Sequence, residues 1–136
     1  MKNNILFLLE EDFRTIKKTT SGIEEILSLR SELSRLANNY LFSIETYKKL
    51  VRKKLGLKNK IPIYFSKKLL LFTLKDKKGK FLINYFNIFK ICYLENIKII
   101  FTNGEILQLH ISKSKIEKEI KKINKLKEYL LKVDLW

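Results

Sequence analysis

Helical spacing of apolar residues marks the first part of the chain. Thr20 and Ser21 precede Ile23, Ile26, Leu27, Leu33 and Leu36, and Ser21 with Glu24 has the spacing of a capping box. This pattern predicts an amphipathic helix over about 21–38. Ser43 then stands before Tyr47, Leu50, Val51 and Leu55, which repeat at three and four residues, and Gly56 is placed to end that second helix. The face opposite those apolar positions carries Lys48, Lys49, Arg52 and Lys53, with Lys54, Lys58 and Lys60 close by.

From Ile61 the period changes. Ile61 to Phe65, Leu69 to Leu74, Phe81 to Tyr85, Ile88 to Tyr93, Ile97 to Phe101 and Ile106 to Ile111 read as short strands. Asp76 to Gly79, Glu95-Asn96 and Asn103-Gly104 separate them, and the last is a hairpin signal of type I′, since both residues tolerate positive φ. Strands joined this closely are antiparallel, because parallel pairs need crossovers of about a dozen residues or more. Ser114 with Glu117 has capping-box spacing again. Ile116, Ile120, Ile123, Tyr129 and Leu130 then mark the apolar face of a helix running to about Lys132. Lys113, Lys115, Lys118, Lys121, Lys122 and Lys125 lie on its other side, as a solvated face or a binding ridge.

The fold expected is α+β: N-terminal helices, an antiparallel meander-like sheet of about five or six strands and a long amphipathic C-terminal helix. A partial barrel like that of pleckstrin-homology domains is one arrangement of such strands. At 136 residues the chain has the size of one domain, 1–136. With 46% hydrophobic residues, 4 Gly and 1 Pro it lacks the composition of a disordered segment.

Charge divides the chain unevenly. Residues 1–42 carry Lys2, Arg14, Lys17, Lys18, Arg30 and Arg35 against Glu10, Glu11, Asp12, Glu24, Glu25 and Glu32, and are neutral. The whole formal charge of +15 therefore resides in 43–136. Such a surface attracts polyanions, nucleic acid and anionic lipid being the usual ones. Codon composition is a competing source of the lysines, since only four of the 29 bases are Arg and Lys, Ile and Asn are all favoured by AT-rich codons. The neutral helix with Ile23, Ile26, Leu33 and Leu36 is placed either against the domain's own sheet or at a homo-oligomer interface.

Catalytic chemistry is not visible. The lone His110 lies in an alternating strand run without a nucleophile motif, and the glycines at 22, 56, 79 and 104 form no phosphate loop. Glu117 and Glu119 read as solvated acids on a lysine-rich helix. One Cys and one His do not make a zinc site, and Cys92 reads as a buried structural thiol. No enzyme activity, cofactor, metal or small-molecule substrate is expected. No apolar run reaches the roughly 20 residues of a membrane span, and Ile5 to Leu9 is too short for a secretory signal, so a cytoplasmic location is expected.

The stretch IPIYFSKKLLLFTLKDKKGKFLINYFNIFKI, followed by IKIIFTNGEILQLHIS, resembles the middle of the ComK family of bacterial competence transcription factors. Pro62-Ile63, Leu71-Phe72-Thr73, Ile83-Asn84-Tyr85 with Ile88, then Phe101, Asn103-Gly104 and Ile111-Ser112 come in the family's order, and Ser43, Lys48 and Leu55-Gly56-Leu57 sit upstream as they do there. The likeness covers roughly 40–112. It departs at Phe72-Thr73-Leu74, at Leu82 and over the first 38 residues. The resemblance implies a DNA-binding activator that reads A/T-rich promoter DNA through the minor groove and phosphates. The contacts would come from Lys48, Lys49, Arg52, Lys53, Lys58, Lys60 and the turn bearing Lys77, Lys78 and Lys80. The rival reading is a non-catalytic pleckstrin-homology-like module that binds anionic lipid or a protein partner through the same lysines.

Overall fold

The structure, a computed structural model, describes residues 4–136; Lys2, counted above among the N-terminal bases, lies outside them. The class is α+β, with nine strands and three α-helices among the described residues. The strands are β1 (Ile5–Glu10), β2 (Thr15–Thr19), β3 (Gly22–Ile26), β4 (Ile63–Ser66), β5 (Leu69–Lys75), β6 (Lys80–Asn84), β7 (Ile88–Cys92), β8 (Ile97–Phe101) and β9 (Ile106–Leu109). The helices are α1 (Leu29–Asn39), α2 (Ile44–Leu55) and α3 (Lys113–Lys132). Six strands form one antiparallel sheet in the order β3-β2-β1-β6-β5-β4, and β7-β8-β9 form a second. No helix among the described residues is long and apolar enough to cross a membrane.

The larger sheet is covered on both faces, which explains why its central strands are apolar without alternation. On one face Leu8, Leu71 and Leu82 pack with Ile63 under α1, through Leu29, Leu36 and Ala37. On the other, Leu6, Leu70, Phe72, Leu74, Phe81 and Ile83 meet α3 and the inner side of the small sheet, where Ile99, Phe101 and Leu109 are buried. Phe7 joins the two sheets, stacked on Phe101 at 6.1 Å between ring centroids and edge-on to Phe81 at 5.5 Å. Asn84 fastens the centre: its Nδ2 donates to the carbonyls of Ile5 and Lys68, both at 3.0 Å, and its Oδ1 accepts from Leu70 N at 3.1 Å and Phe86 N at 3.3 Å. A buried amide so fully partnered ties β1, the β4–β5 turn and the turn leading into β7 together.

The helix expected over about 21–38 is overturned in its first part. Ser21 does not cap a helix: Gly22 to Ile26 is β3, paired with β2 so that Glu24 faces Lys17, and opposite charges directly across a ladder favour the sheet. The helix starts later, at Leu29, with Ser28 as its cap accepting from Ser31 N at 3.0 Å. Ile5 to Leu9, which reads as a short apolar run, forms most of the central strand β1. Of the neutral helix's apolar set, Leu36 is buried and Leu33 half-buried, whereas Ile23 is exposed on the edge strand β3.

Ser43 and Gly56 bound α2 as the sequence predicts, Gly56 with φ of 69° and its N–H on Arg52 O. The cap of α3 is Ser112, two residues before Ser114, accepting from Lys115 N at 3.4 Å. The Asn103-Gly104 turn is not type I′. Gly104 N donates to Phe101 O at 2.9 Å and only Gly104 of the pair has positive φ, 92°, so the hairpin closes through a type I turn with a glycine bulge. Cys92 is half-buried at the end of β7 rather than sealed in the core. Glu119 is buried, not solvated, and its carboxylate is held by Lys122 Nζ at 3.1 Å.

Candidate nucleic-acid interface

The helices leave one end of the large sheet uncovered. There Glu10, Lys80 and Lys75 lie in a row across β1, β6 and β5, with Glu10 opposite Lys80 and Lys80 opposite Lys75. Leu82 and Thr73 form the next row inward, so alternation puts all five side chains on the face that bears α1. α2 flanks this floor. Lys48 and Arg52 are four residues apart and project from one side of it, whereas Lys49 and Lys53 are turned about 100° round the axis.

A cleft of about 550 Å³ results, lined by Lys48, Arg52, Lys58, Lys60 and Lys80 among the residues predicted for binding. The other predicted residues fall elsewhere. Lys77 lines a neighbouring cleft, while Lys49 and Lys53 on α2 and Lys78 in the β5–β6 turn are exposed and line neither. Two cations that the sequence did not single out, Arg30 and Lys75, complete the site. Arg30 arrives from α1, beside the buried Leu29, and its proximity to α2 is a tertiary fact with no local signature. Lys75 closes the apolar run of β5, where strand alternation from Leu71 through Thr73 was the available signal.

The loop carrying Lys58 and Lys60 is fixed at both ends. Leu57 and Ile61 are buried on either side of it, and Lys122 of α3 donates to the Asn59 carbonyl at 2.8 Å while holding Glu119. Further support comes from Tyr47, whose hydroxyl donates to Pro62 O at 2.6 Å and accepts from Tyr64 N at 3.2 Å. This locks α2 to the edge of β4. Burial pushes the Tyr47 phenol well above the usual tyrosine range, only partly offset by the hydrogen bond from Tyr64 N–H. The phenol therefore stays neutral and keeps donating. The basic last turn of α2, Arg52 to Lys54, also complements the negative end of the helix dipole.

The electrostatics of the cleft are one-sided. Seven cations line it against a single carboxylate, Glu10, and none of the seven is in an ion pair among the described residues. Elsewhere the N-terminal cations are neutralised: Arg14 with Glu11, Lys17 and Arg35 with Glu32, and Lys18 with Glu105. Arg30 is the one described base before Ser43 that is not paired, and it is the one that lines the cleft. Seven uncompensated cations around a fixed floor can hold phosphate groups at several points at once, and two of them are arginines, which present planar donors to narrow grooves.

Fold and site together define an α+β protein with a cation-lined cleft on the open end of an antiparallel sheet. No family model matches the chain, and neither a curated protein nor a solved structure matches it.

Proposed function

We propose that the chain is a DNA-binding transcriptional regulator of ComK-like type that holds A/T-rich duplex in the cleft between α2 and the Glu10–Lys80–Lys75 row. The observation that carries this reading is the convergence of Arg30, Lys48, Arg52, Lys58, Lys60, Lys75 and Lys80, from α1, α2, β5, β6 and the loop after α2, without a neutralising partner. Codon composition raises lysine content wherever codons fall. It does not by itself gather seven unpaired cations from separate elements around one cleft that holds a single carboxylate, Glu10.

Lysines supply phosphate attraction and bind without regard to sequence. Sequence bias comes from Arg30 and Arg52, because A/T-rich tracts have a narrow minor groove whose enhanced negative potential draws arginine. Both come from helix surfaces that flank the same opening. A major-groove recognition helix is not required by this arrangement.

Titration of the full chain against A/T-rich and G/C-rich duplexes of equal length, at two salt concentrations, tests the proposal. Tighter A/T binding that persists at the higher salt, and that Arg30→Ala and Arg52→Ala diminish, supports it. Equal binding erased by salt overturns it. Preference for anionic vesicles over either duplex would assign the cleft to lipid headgroups instead.

A further inference from the structure

A second cleft of about 590 Å³ adjoins the first, and Lys60 and Lys75 line both. Its outer wall is the first half of α3, from which Lys115 and Lys118 project, and its rim is the turn that carries Lys77. The two acids in it are already engaged. Asp76 accepts from its own turn at Lys78 N, 2.8 Å, and from His110 N at 3.2 Å; Glu119 is held by Lys122. Lys77, Lys115 and Lys118 make no ion pair among the described residues.

Lys60 marks the boundary between the clefts and has the left-handed backbone that glycine favours, with φ of 51°. A residue with a Cβ is disfavoured there, and such positions persist where the surroundings over-determine them. Here the neighbouring Asn59 carbonyl is pinned by Lys122, and Ile61 is buried. The strained backbone holds a cation where the two clefts meet, alongside Thr73 and Lys75, which also line both.

We infer that the two clefts form one continuous phosphate track, in which a nucleic-acid backbone leaving the first cleft passes Lys60 and Lys75 and is held further on by Lys77, Lys115 and Lys118. This rests on the nucleic-acid reading of the first cleft and enlarges it. The apparent solvated face of α3 becomes part of the binding surface over its first turns only, and a bound duplex must span both clefts.

The test is the slope of log K against log salt, measured with the full chain and a 24-base-pair A/T-rich duplex. Each phosphate contact contributes about 0.9 to that slope. Three double variants, each removing two positive charges, are compared with the unaltered chain: Arg52→Ala with Lys80→Ala in the first cleft, Lys115→Ala with Lys118→Ala in the second, and Lys125→Ala with Lys132→Ala as exposed controls further along α3. Continuity predicts that the first two pairs each lower the slope by about 1.8 while the controls leave it unchanged. If the first-cleft pair lowers the slope and the second-cleft pair behaves as the controls do, the track ends at Lys60 and the inference fails alone. If neither cleft pair changes the slope, or the controls lower it equally, the nucleic-acid reading of the first cleft fails with it.

Discussion

Lys75 and Lys80 stand directly opposite each other on β5 and β6, the last pair of that ladder before the turn. Like charges in this position destabilise a sheet, and strand-favouring residues were available to the position at no structural cost. Glu10, beside Lys80 on β1, makes no ion pair with it. The pair is therefore a place where the fold gives up stability at the floor of its most cationic cleft, which is the pattern of a functional site.

Lys80→Thr consequently has opposite effects on stability and on binding. Removing the repulsion and adding a β-branched residue is expected to stabilise the fold by about 0.5 kcal/mol, or roughly 2 °C in Tm, as read by thermal melting. The same change lowers the salt slope of duplex binding by about 0.9. A substitution that left both quantities where they were would remove the repulsion argument and the phosphate contact together.

Gly79 holds that pair in place. Its φ is 153°, and a Cβ there would lie 2.1 Å from the carbonyl oxygen of Glu10, with backbone rather than a yielding side chain in the way. The β5–β6 turn thus sits on the end of β1 only because the residue is glycine. Gly79→Ala is expected to destabilise the chain by about 3 kcal/mol or more, since both strain and a backbone clash must be relieved by moving strands. A urea melt checks this, and a midpoint unchanged from the parent protein would mean that the turn is not seated on β1.

The parts of the fold legible in the sequence are those whose local and tertiary preferences agree. α2 has a serine cap, a helical apolar repeat and a terminal glycine, and β5 and β6 are dense apolar runs on either side of a polar turn. β2 and β3 are short and polar, reading TIKKT and GIEEI, and Ile23 and Ile26 fall at helical spacing by chance of a strand's edge position. Their pairing decides the matter, and it is a non-local fact. The site divides in the same way. Lys48 and Arg52 are legible because i and i+4 share a helix face. Arg30 is not, because nothing within α1 reports that it comes to line the same cleft as α2.

Glu32 links α1 to β2 by accepting from Lys17 and Arg35, and it is buried. Burial pushes its carboxyl up, but the hydrogen bonds from Arg35 and Lys17 and their charges outweigh that and leave it below the usual carboxylate range. A depressed folded-state value means stability that is present above the ordinary carboxylate pKa and lost as pH falls through the folded one. Glu32→Gln is expected to cost about 1–3 kcal/mol at neutral pH and to make the acid limb of the stability curve shallower. Urea melts between pH 7 and 3 check this; parallel curves for the two proteins would exclude Glu32 from the acid response.

Tyr47 gives the corresponding alkaline signature. Its hydroxyl partners two backbone groups at the β4 edge, the Tyr64 N–H and the Pro62 carbonyl, much as a neighbouring strand would. Tyr47→Phe leaves both backbone groups unpartnered and is expected to cost about 1–3 kcal/mol in a urea melt at neutral pH. Because burial raises the folded-state pKa, the unfolded chain loses this proton first as pH climbs past about 10. The unfolded state then binds fewer protons than the folded one, and stability falls with rising pH. The Phe variant lacks that group, so the gap between the two proteins is expected to narrow from about pH 10 upward. A gap that stayed constant through pH 11 would show that the Tyr47 phenol ionises as readily in the folded chain as in the unfolded one, and that its place between α2 and β4 is not sealed.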